Sequence, residues 1–277
     1  MGGLRMKIYI PTRGRVKNQL TLRGLPPELQ EQAIIVCPKD EIGRHDVECR
    51  YDKIKTNFLA QPDDIKFIAD KRKWIVEQCP EDKLVMLDDD LRFAVRREDN
   101  PGLFRKATNE DVLTAFKELA EILSEETPHA GFAARGMSIG DAAKRGGWQE
   151  SKRAMYVLGF YLPIARFWAE WGRIRIREDF DITLQLLSMG FPNRVNYSFV
   201  TDQKAFTPGG GDSPLERTVD ISNAAARQLQ ELHPDYVTLS EKTFANSPSR
   251  TEVIIQWIKA YEDGKRFRIQ FLKGQQK

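Results

Sequence analysis

The sequence predicts an α/β protein with a mostly parallel central sheet flanked by helices. Three observations predict it. Short apolar runs of strand length alternate with helix-patterned segments, each run ends in a polar loop, and 277 residues with 41% hydrophobic and 30% charged positions suffice for a sizeable core. Lys7 to Pro11 form the first expected strand, Ala33 to Cys37 the second, and Leu84 to Leu87 a later one. Ligands of open parallel sheets bind beyond the carboxyl ends of such strands. Ile65, Ile68, Ala69, Ile75, Val76 and Cys79 recur at helical spacing, so 64–79 should be a helix with its apolar face on the sheet, interrupted by Arg72.

Asn109 caps the next expected helix, with Glu110 and Asp111 in its first turn and Val112, Phe116, Leu119, Ala120 and Leu123 on its core face. Residues 128–153 carry few periodic apolar positions and many Gly, Arg and Lys, which reads as a long functional loop. Val157 to Pro163 read as another strand, and Ile182, Leu186 and Met189 as a helix ended by Gly190. Towards the end, Ser249 and Glu252 form a capping box before a helix carrying Val253, Ile254, Trp257, Ile258 and Tyr261, whereas Phe267, Ile269 and Phe271 alternate as a strand does.

Composition excludes more than it selects. No apolar stretch reaches the roughly 20 residues of a membrane span, so no membrane partner is expected and a cytoplasmic protein is the simplest reading. Residues 1–5 read as a short leader; Met6 stands where a myristoylation signal needs Ser or Thr. Cys37, Cys49 and Cys79 share no metal-like spacing and read as reduced, packed thiols. A net charge of +3 permits a nucleic-acid partner without demanding one.

The chemistry concentrates at the end of the Leu84 to Leu87 run, which opens onto Asp88, Asp89 and Asp90. In an extended segment Asp88 and Asp90 share a side about 7 Å apart while Asp89 faces away. A hard divalent cation, Mn²⁺ or Mg²⁺, bridging to a diphosphate relieves their repulsion; a solvated acidic turn is the alternative. Pro11-Thr-Arg-Gly-Arg15 follows the first strand and offers a hydroxyl from Thr12, guanidinium groups from Arg13 and Arg15 and a flexible Gly to a nucleotide and its phosphates, or is an ordinary basic loop. Lys71 and Arg72 precede the aspartates, and a cation on an otherwise apolar face needs an anion, either a substrate phosphate or one of the aspartates. Glu178, Asp179 and Asp181 open a helix, where the macrodipole favours carboxylates whether or not they catalyse. If extended, Arg173-Ile-Arg-Ile-Arg177 before them lines one side with cations.

In this order the motifs resemble the nucleotide-sugar glycosyltransferases of A-type fold, with Asp88-Asp-Asp90 matching the Asp-x-Asp metal motif and Glu178-Asp179 the acidic pair that supplies the base in inverting members. More narrowly, Ile8-Tyr-Ile-Pro-Thr-Arg-Gly-Arg15, Ile68-Ala-Asp-Lys-Arg72 and Leu87-Asp-Asp-Asp-Leu-Arg-Phe93 resemble the phage and kinetoplastid DNA-base glycosyltransferases associated with thymine and 5-methylcytosine oxygenases. The resemblance spans about residues 6–200. It implies a Rossmann-like nucleotide-sugar-binding half over 6–95, an acceptor half over 96–200, and a C-terminal stretch over 201–277 packed on the same domain. It further implies transfer of a sugar, glucose from UDP-glucose, to a hydroxymethylated pyrimidine of DNA in a phage-infected bacterial host. Donor contacts would come from Pro11, Thr12, Arg13, Arg15, Lys71, Arg72, Asp88 and Asp89, metal ligands from Asp88 and Asp90, and the base from Asp179, with Glu178 and Asp181 as rivals.

For the acceptor, Arg135, Lys144, Arg145, Lys152 and Arg153 with Trp148 among them suit phosphates and base stacking, or form a solvated basic loop; a base in duplex DNA must also be flipped out or unpaired. Trp168 and Trp171 read as packing residues. The third metal ligand of the A-type pattern, often a His, has only His233 and Asp202 as candidates, and His233 reads equally as a helix cap. Thr207 to Ser213 is either a closing loop over phosphates or a connector. Two further readings stay open: the same fold with a polysaccharide, protein or small-molecule acceptor, and a noncatalytic binding domain with structural aspartates.

Overall fold

A computed structural model describes residues 5–137, 140, 146–150, 153, 156–203, 218–244 and 247–275. The strands are β1 (Lys7–Pro11), β2 (Ala33–Pro38), β3 (Asn57–Gln61), β4 (Lys83–Leu87), β5 (Leu91–Arg96), β6 (Phe104–Lys106), β7 (His129–Ala134), β8 (Trp148–Glu150), β9 (Val157–Tyr161), β10 (Asn193–Gln203), β11 (Val237–Phe244) and β12 (Ser247–Ile255). The helices are α1 (Leu20–Gly24), α2 (Pro27–Gln30), α3 (Ile42–Tyr51), α4 (Ile68–Gln78), α5 (Asn109–Ile122), α6 (Leu162–Trp168), α7 (Glu178–Ser188), α8 (Val219–Leu232) and α9 (Trp257–Gln275).

Ten strands form one sheet in the order β3-β2-β1-β4-β9-β7-β10-β5-β6, with β8 also on β10. Seven run one way and β5, β8 and β9 the other. Because the chain leaves β1 towards β2 on one side and returns as β4 on the other, the loops after β1 and β4 meet at a topological switch point. Pro11 to Arg15 and Asp88 to Asp90 occupy that crevice.

Alternation along the strands builds a core on each face of the sheet. Ile8, Ile10, Val85 and Leu87 join Val112, Phe116 and Leu119 of α5, while Tyr9, Leu84 and Met86 join Ile75 and Val76 of α4, Ala165 of α6 and Ile182 of α7. Trp168 and Trp171 pack at the edge of the second cluster. A third cluster joins Phe180, Leu184 and Leu187 of α7 to Ala225 and Leu229 of α8, Val237 and Ala260.

Several expected elements differ. The 64–79 helix begins at Ile68, and Thr108 rather than Asn109 is the N-cap of α5, in a capping box with Asp111. The expected loop over 128–153 contains β7, buried at every position and paired with both β9 and β10. A central strand has no polar face, and His129-Ala-Gly-Phe-Ala-Ala134 lacks the large apolar residues that would reveal it. Val157 to Pro163 splits at Leu162, where Pro163 enters the first turn of α6. Ser249 and Glu252 lie inside β12, and Phe267, Ile269 and Phe271 lie in α9.

Candidate active site

The β1 loop is shaped before any substrate contact. Gly14 has φ 70°, which a side chain disfavours, and its N–H donates to both carboxylate oxygens of buried Glu41 at 3.0 Å. Lys71 of α4, only 2% exposed, donates to the Thr12 carbonyl at 2.8 Å. Thr12 Oγ1 donates to Asp89 Oδ2 at 2.5 Å and accepts from Gln19 at 2.9 Å. Arg13 Nη1 donates to the Lys66 carbonyl at 3.2 Å.

The aspartates leave the strand at once, so alternation does not govern them. The Asp88 N–H still donates to the Tyr156 carbonyl, but Asp89 and Asp90 form a turn clamped by Thr21, whose hydroxyl donates to the Asp88 carbonyl and whose N–H donates to the Asp89 carbonyl at 3.2 Å. Asp89 consequently does not face away: its carboxylate meets Thr12 and Arg15 in the wall of the crevice. Burial raises its pKa to about 7, against the opposing pull of Arg15 and Thr12. Arg15 Nη1 bridges Asp89 Oδ1 at 3.1 Å and Asp90 Oδ2 at 2.5 Å, and Gln203 of β10 donates to Asp90 Oδ1 at 2.5 Å. Arg72 bridges Asp88 Oδ1 at 2.7 Å and Glu178 Oε1 at 2.5 Å, joining the aspartate loop to α7.

A deep cavity of about 500 Å³ opens between these loops. Pro11, Thr12, Arg13, Arg15, Lys71, Arg72, Asp88 and Asp89 line one part, and Arg153, Tyr156, Arg175, Arg177, Glu178 and Asp179 another. Eight basic side chains and five carboxylates line it, so it suits an anion. Tyr156 and Arg177 hold left-handed backbone at φ 66° and 70°, costly conformations that concentrate at functional sites. Glu178 and Asp179 enter at the N-terminus of α7. Burial raises the pKa of Glu178 despite Arg72. Burial also pushes Asp179 upward, but Arg153, donating to Asp179 Oδ2 at 2.9 Å, together with Arg72 and the Phe180 N–H, outweighs it and holds this carboxyl below its usual range.

The two aspartates expected to hold a metal, Asp88 and Asp90, supply hard oxygen donors, yet each already accepts from a guanidinium, Asp90 gives its second oxygen to Gln203 and does not line the cavity, and no group of three or more His, Cys, Asp or Glu converges as a metal site among the described residues. Such a pair fits Mg²⁺ or Mn²⁺ whose shell is completed by phosphate oxygens and water rather than by the protein alone.

The remaining expected site residues lie apart. Asp181 faces the interior, 1% exposed, where it pairs with Arg173, accepts from Gln185 at 3.0 Å and meets His233 Nε2 at 2.7 Å. That contact and the cap position of His233 on α8 remove both Asp181 and His233 from the cavity, because helical spacing turns the third α7 carboxylate into the core behind it. Asp202 pairs with Arg135 at 3.4 Å, and Arg135 lies over the Phe104 ring, neither lining the cavity. Trp148 points to α5, its indole N–H donating to Glu118 at 3.0 Å, so it packs rather than stacks bases. Lys144, Arg145, Lys152 and Thr207 to Ser213 lie outside the described residues. The Arg173 to Arg177 run is not a strand: Arg173 is spent on Asp181, Arg175 lies over the Phe67 ring at 3.1 Å from its centroid, and Arg177 is the N-cap residue of α7.

Sequence reasoning missed Gln203, Gln19, Glu41, Thr21 and Tyr156, which sit in unremarkable local contexts and act only through tertiary contacts. It also missed Thr218, Ser222, Arg250 and Glu252, which close the cavity from α8 and β12.

Solved structures similar to this chain are the enzyme GalNAc-T7 crystallised with UDP, GalNAc and Mn²⁺ (9% identity, TM-score 0.50, covering 82% of this chain and 48% of that one) and mannosyltransferase PcManGT from Pyrobaculum calidifontis with GDP-Man and Mn²⁺ (11%, 0.48, 76% and 59%). A third is glucosyl-3-phosphoglycerate synthase from Mycobacterium tuberculosis with Mn²⁺, UDP and glucosyl-3-phosphoglycerate (10%, 0.47, 90% and 87%). The chain thus spans less than two thirds of the first two. Comparison with curated proteins gives no match. The fold is that of A-type glycosyltransferases. The family model of the TET-associated glycosyltransferases matches residues 6–211, and the chain belongs to that glycosyltransferase family.

Proposed function

We propose that this enzyme transfers a sugar, glucose from UDP-glucose, to the hydroxymethyl oxygen of a modified pyrimidine in DNA with inversion at the anomeric carbon. The observation that carries the reading is the single cavity in which the Arg15, Arg72 and aspartate cluster stands beside an ionised Asp179. The choice of DNA rests on the family and on the cationic excess of the lining.

Asp88 and Asp90 would hold Mn²⁺ or Mg²⁺, which when bound neutralises charge on the departing diphosphate. Arg15 and Arg72 act beside them. Each keeps a buried Nε without a hydrogen-bond partner, a donor suited to a phosphate oxygen. Lys71 holds the Thr12 carbonyl and so fixes the loop that meets the nucleotide. As the bond between the anomeric carbon and the diphosphate oxygen breaks, the acceptor oxygen bonds to that carbon and its proton passes to Asp179. Glu178 is held by Arg72 in the bridge that joins the aspartate loop to α7, which suits it to positioning rather than to the proton transfer.

Incubation with UDP-glucose, Mn²⁺ and DNA containing hydroxymethylated pyrimidine, followed by digestion and mass analysis, should show a hexose on one nucleoside, with none on unmodified DNA. Chelation and Asp90→Ala should abolish transfer, and Asp179→Asn should lower kcat by about 10²-fold or more. Sugar appearing only on a glycan or protein acceptor would refute the DNA assignment; undiminished activity in Asp179→Asn would refute the base.

A further inference from the structure

On the DNA reading only the extruded base enters the cavity, and the phosphates on either side of it stay outside and need counter-charge near the mouth. Strand directions show where the protein continues from that mouth. β7 and β10 run parallel to β1 and β4, with the reversed β9 between, so their carboxyl ends lie at the same edge of the sheet as Asp88 to Asp90, and antiparallel β5 begins there. Gln203, the last residue of β10, lines the cavity and donates to Asp90. Its neighbour Asp202 stands opposite Arg92 of β5 in the ladder.

Register then fixes which side chains share a face. Ala94 of β5 is buried in the core beneath α4, α6 and α7, so Arg92 and Arg96 lie on that face, with Lys106 of β6 opposite Ala94 and Phe104 opposite Arg96. Arg92 and Lys106 are diagonal neighbours, about 7–8 Å apart. Arg135, just past β7, pairs with Asp202 at 3.4 Å and sets its guanidinium 5.6 Å from the centroid of the Phe104 ring, to which Arg96 comes within 4.6 Å. Other arginines of this edge are matched by carboxylates: Arg97 by Asp99, Arg105 by Asp111 and Arg194 by Glu150. Arg92 and Lys106 are not. Both are exposed, and among the described residues neither has an ion-pair partner, so with Arg135 they make three exposed cations around the one carboxylate, Asp202, that the ladder places among them.

We propose that this platform, with Arg92, Lys106 and Arg135 around Phe104 at the β10-β5-β6 edge, seats the nucleic-acid backbone that flanks the target nucleotide. The platform rests on the DNA reading above. Its cations stand on adjacent strands of a rigid sheet, so they meet successive phosphates without ordering a loop, and contact with Phe104 already holds the Arg135 guanidinium in place. Asp202 has the opposite effect: it takes part of the charge of Arg135 and repels phosphate, which keeps binding weak enough for release.

The test measures binding of the full chain to unmodified duplex DNA by fluorescence anisotropy at several salt concentrations, with UDP affinity and Tm recorded alongside. The double variant Arg92→Ala/Lys106→Ala should bind about tenfold more weakly and lower the salt slope by about two, with UDP affinity and Tm as in wild type. Asp202→Asn should bind more tightly than wild type, a gain that misfolding does not produce. Lys55→Ala, an exposed cation just before β3 at the far edge of the sheet, is the control and should change neither affinity nor slope. Wild-type affinity and slope in the double variant, or an equal loss in Lys55→Ala, with wild type binding duplex and active on hydroxymethylated DNA, would overturn the platform alone. A wild type that binds no duplex and glycosylates only an acceptor other than nucleic acid would overturn the DNA reading and the platform together.

Discussion

Asp89 shows how one side chain couples folding to the chemistry beside it. It is the middle member of the acidic triplet, buried against Thr12 and Arg15, and its carboxyl titrates at about 7 because lost hydration outweighs the nearby guanidinium. The unfolded chain releases this proton near 3.8, so the native state holds it between those values. Its stabilising contribution is complete below about pH 4 and is lost as pH rises to about 7, at of the order of 1 kcal/mol per pH unit. In Asp89→Asn, whose single amide oxygen can accept from Arg15 while its NH2 group faces Thr12, this component should vanish. Thermal unfolding from pH 4 to 8 should show wild type losing stability relative to the variant as pH rises; parallel curves would show that Asp89 is already ionised in the fold.

At the scale of elements, α7 carries Glu178 and Asp179 at one end and is fixed at the other by contact with α9. Gly190, at φ 77° just past α7, meets Gly264 of α9 so closely that a Cβ on Gly264 would stand 2.3 Å from the Leu187 carbonyl oxygen and 2.5 Å from the Gly190 nitrogen. Backbone atoms cannot yield as a side-chain end does. Gly264→Ala should therefore cost roughly 2–3 kcal/mol, read as a lowered Tm, and should loosen the helix that carries Glu178 and Asp179. An unchanged Tm would mean that α9 does not pack there. The buried Asp181 bridge to Arg173 and His233 ties the same helix to α8, which explains why an acidic side chain two residues from the expected base lies outside the cavity.

For the whole molecule, the third hydrophobic cluster makes the C-terminal elements part of the enzyme's core rather than an appendage. A chain ending at residue 211 would expose Phe180, Leu184 and Leu187, all packed against α8, Val237 or Ala260. It should lose cooperative unfolding and aggregate, as light scattering and calorimetry would report, even though it retains the whole family match. A soluble, cooperatively folding truncation would show that the sheet and its two cores suffice.

Local chemistry was legible wherever it repeats or clusters. The strands beginning at Lys7 and Ala33, the core face of α5, the Asp88 to Asp90 triplet and the acidic start of α7 all declare themselves, because alternation, helical spacing and runs of like charge are properties of neighbouring residues. What tertiary structure decided depends on partners far along the chain. Strand β7 was hidden because burial on both faces removes alternation, Ser249 and Glu252 joined a strand because β11 supplied its hydrogen bonds, and Phe267 and Ile269 entered a helix locked at Gly264. The roles of the charged residues divided in the same way. Sequence alone marked Arg72, Glu178 and Asp179 as chemistry, but only the fold joined Arg72 to both Asp88 and Glu178, withdrew Asp181 and Trp148 into packing, and brought Arg250 from beyond the family match to the cavity. A sequence fixes which charges a chain carries, whereas the partner that neutralises each buried charge is chosen by long-range packing.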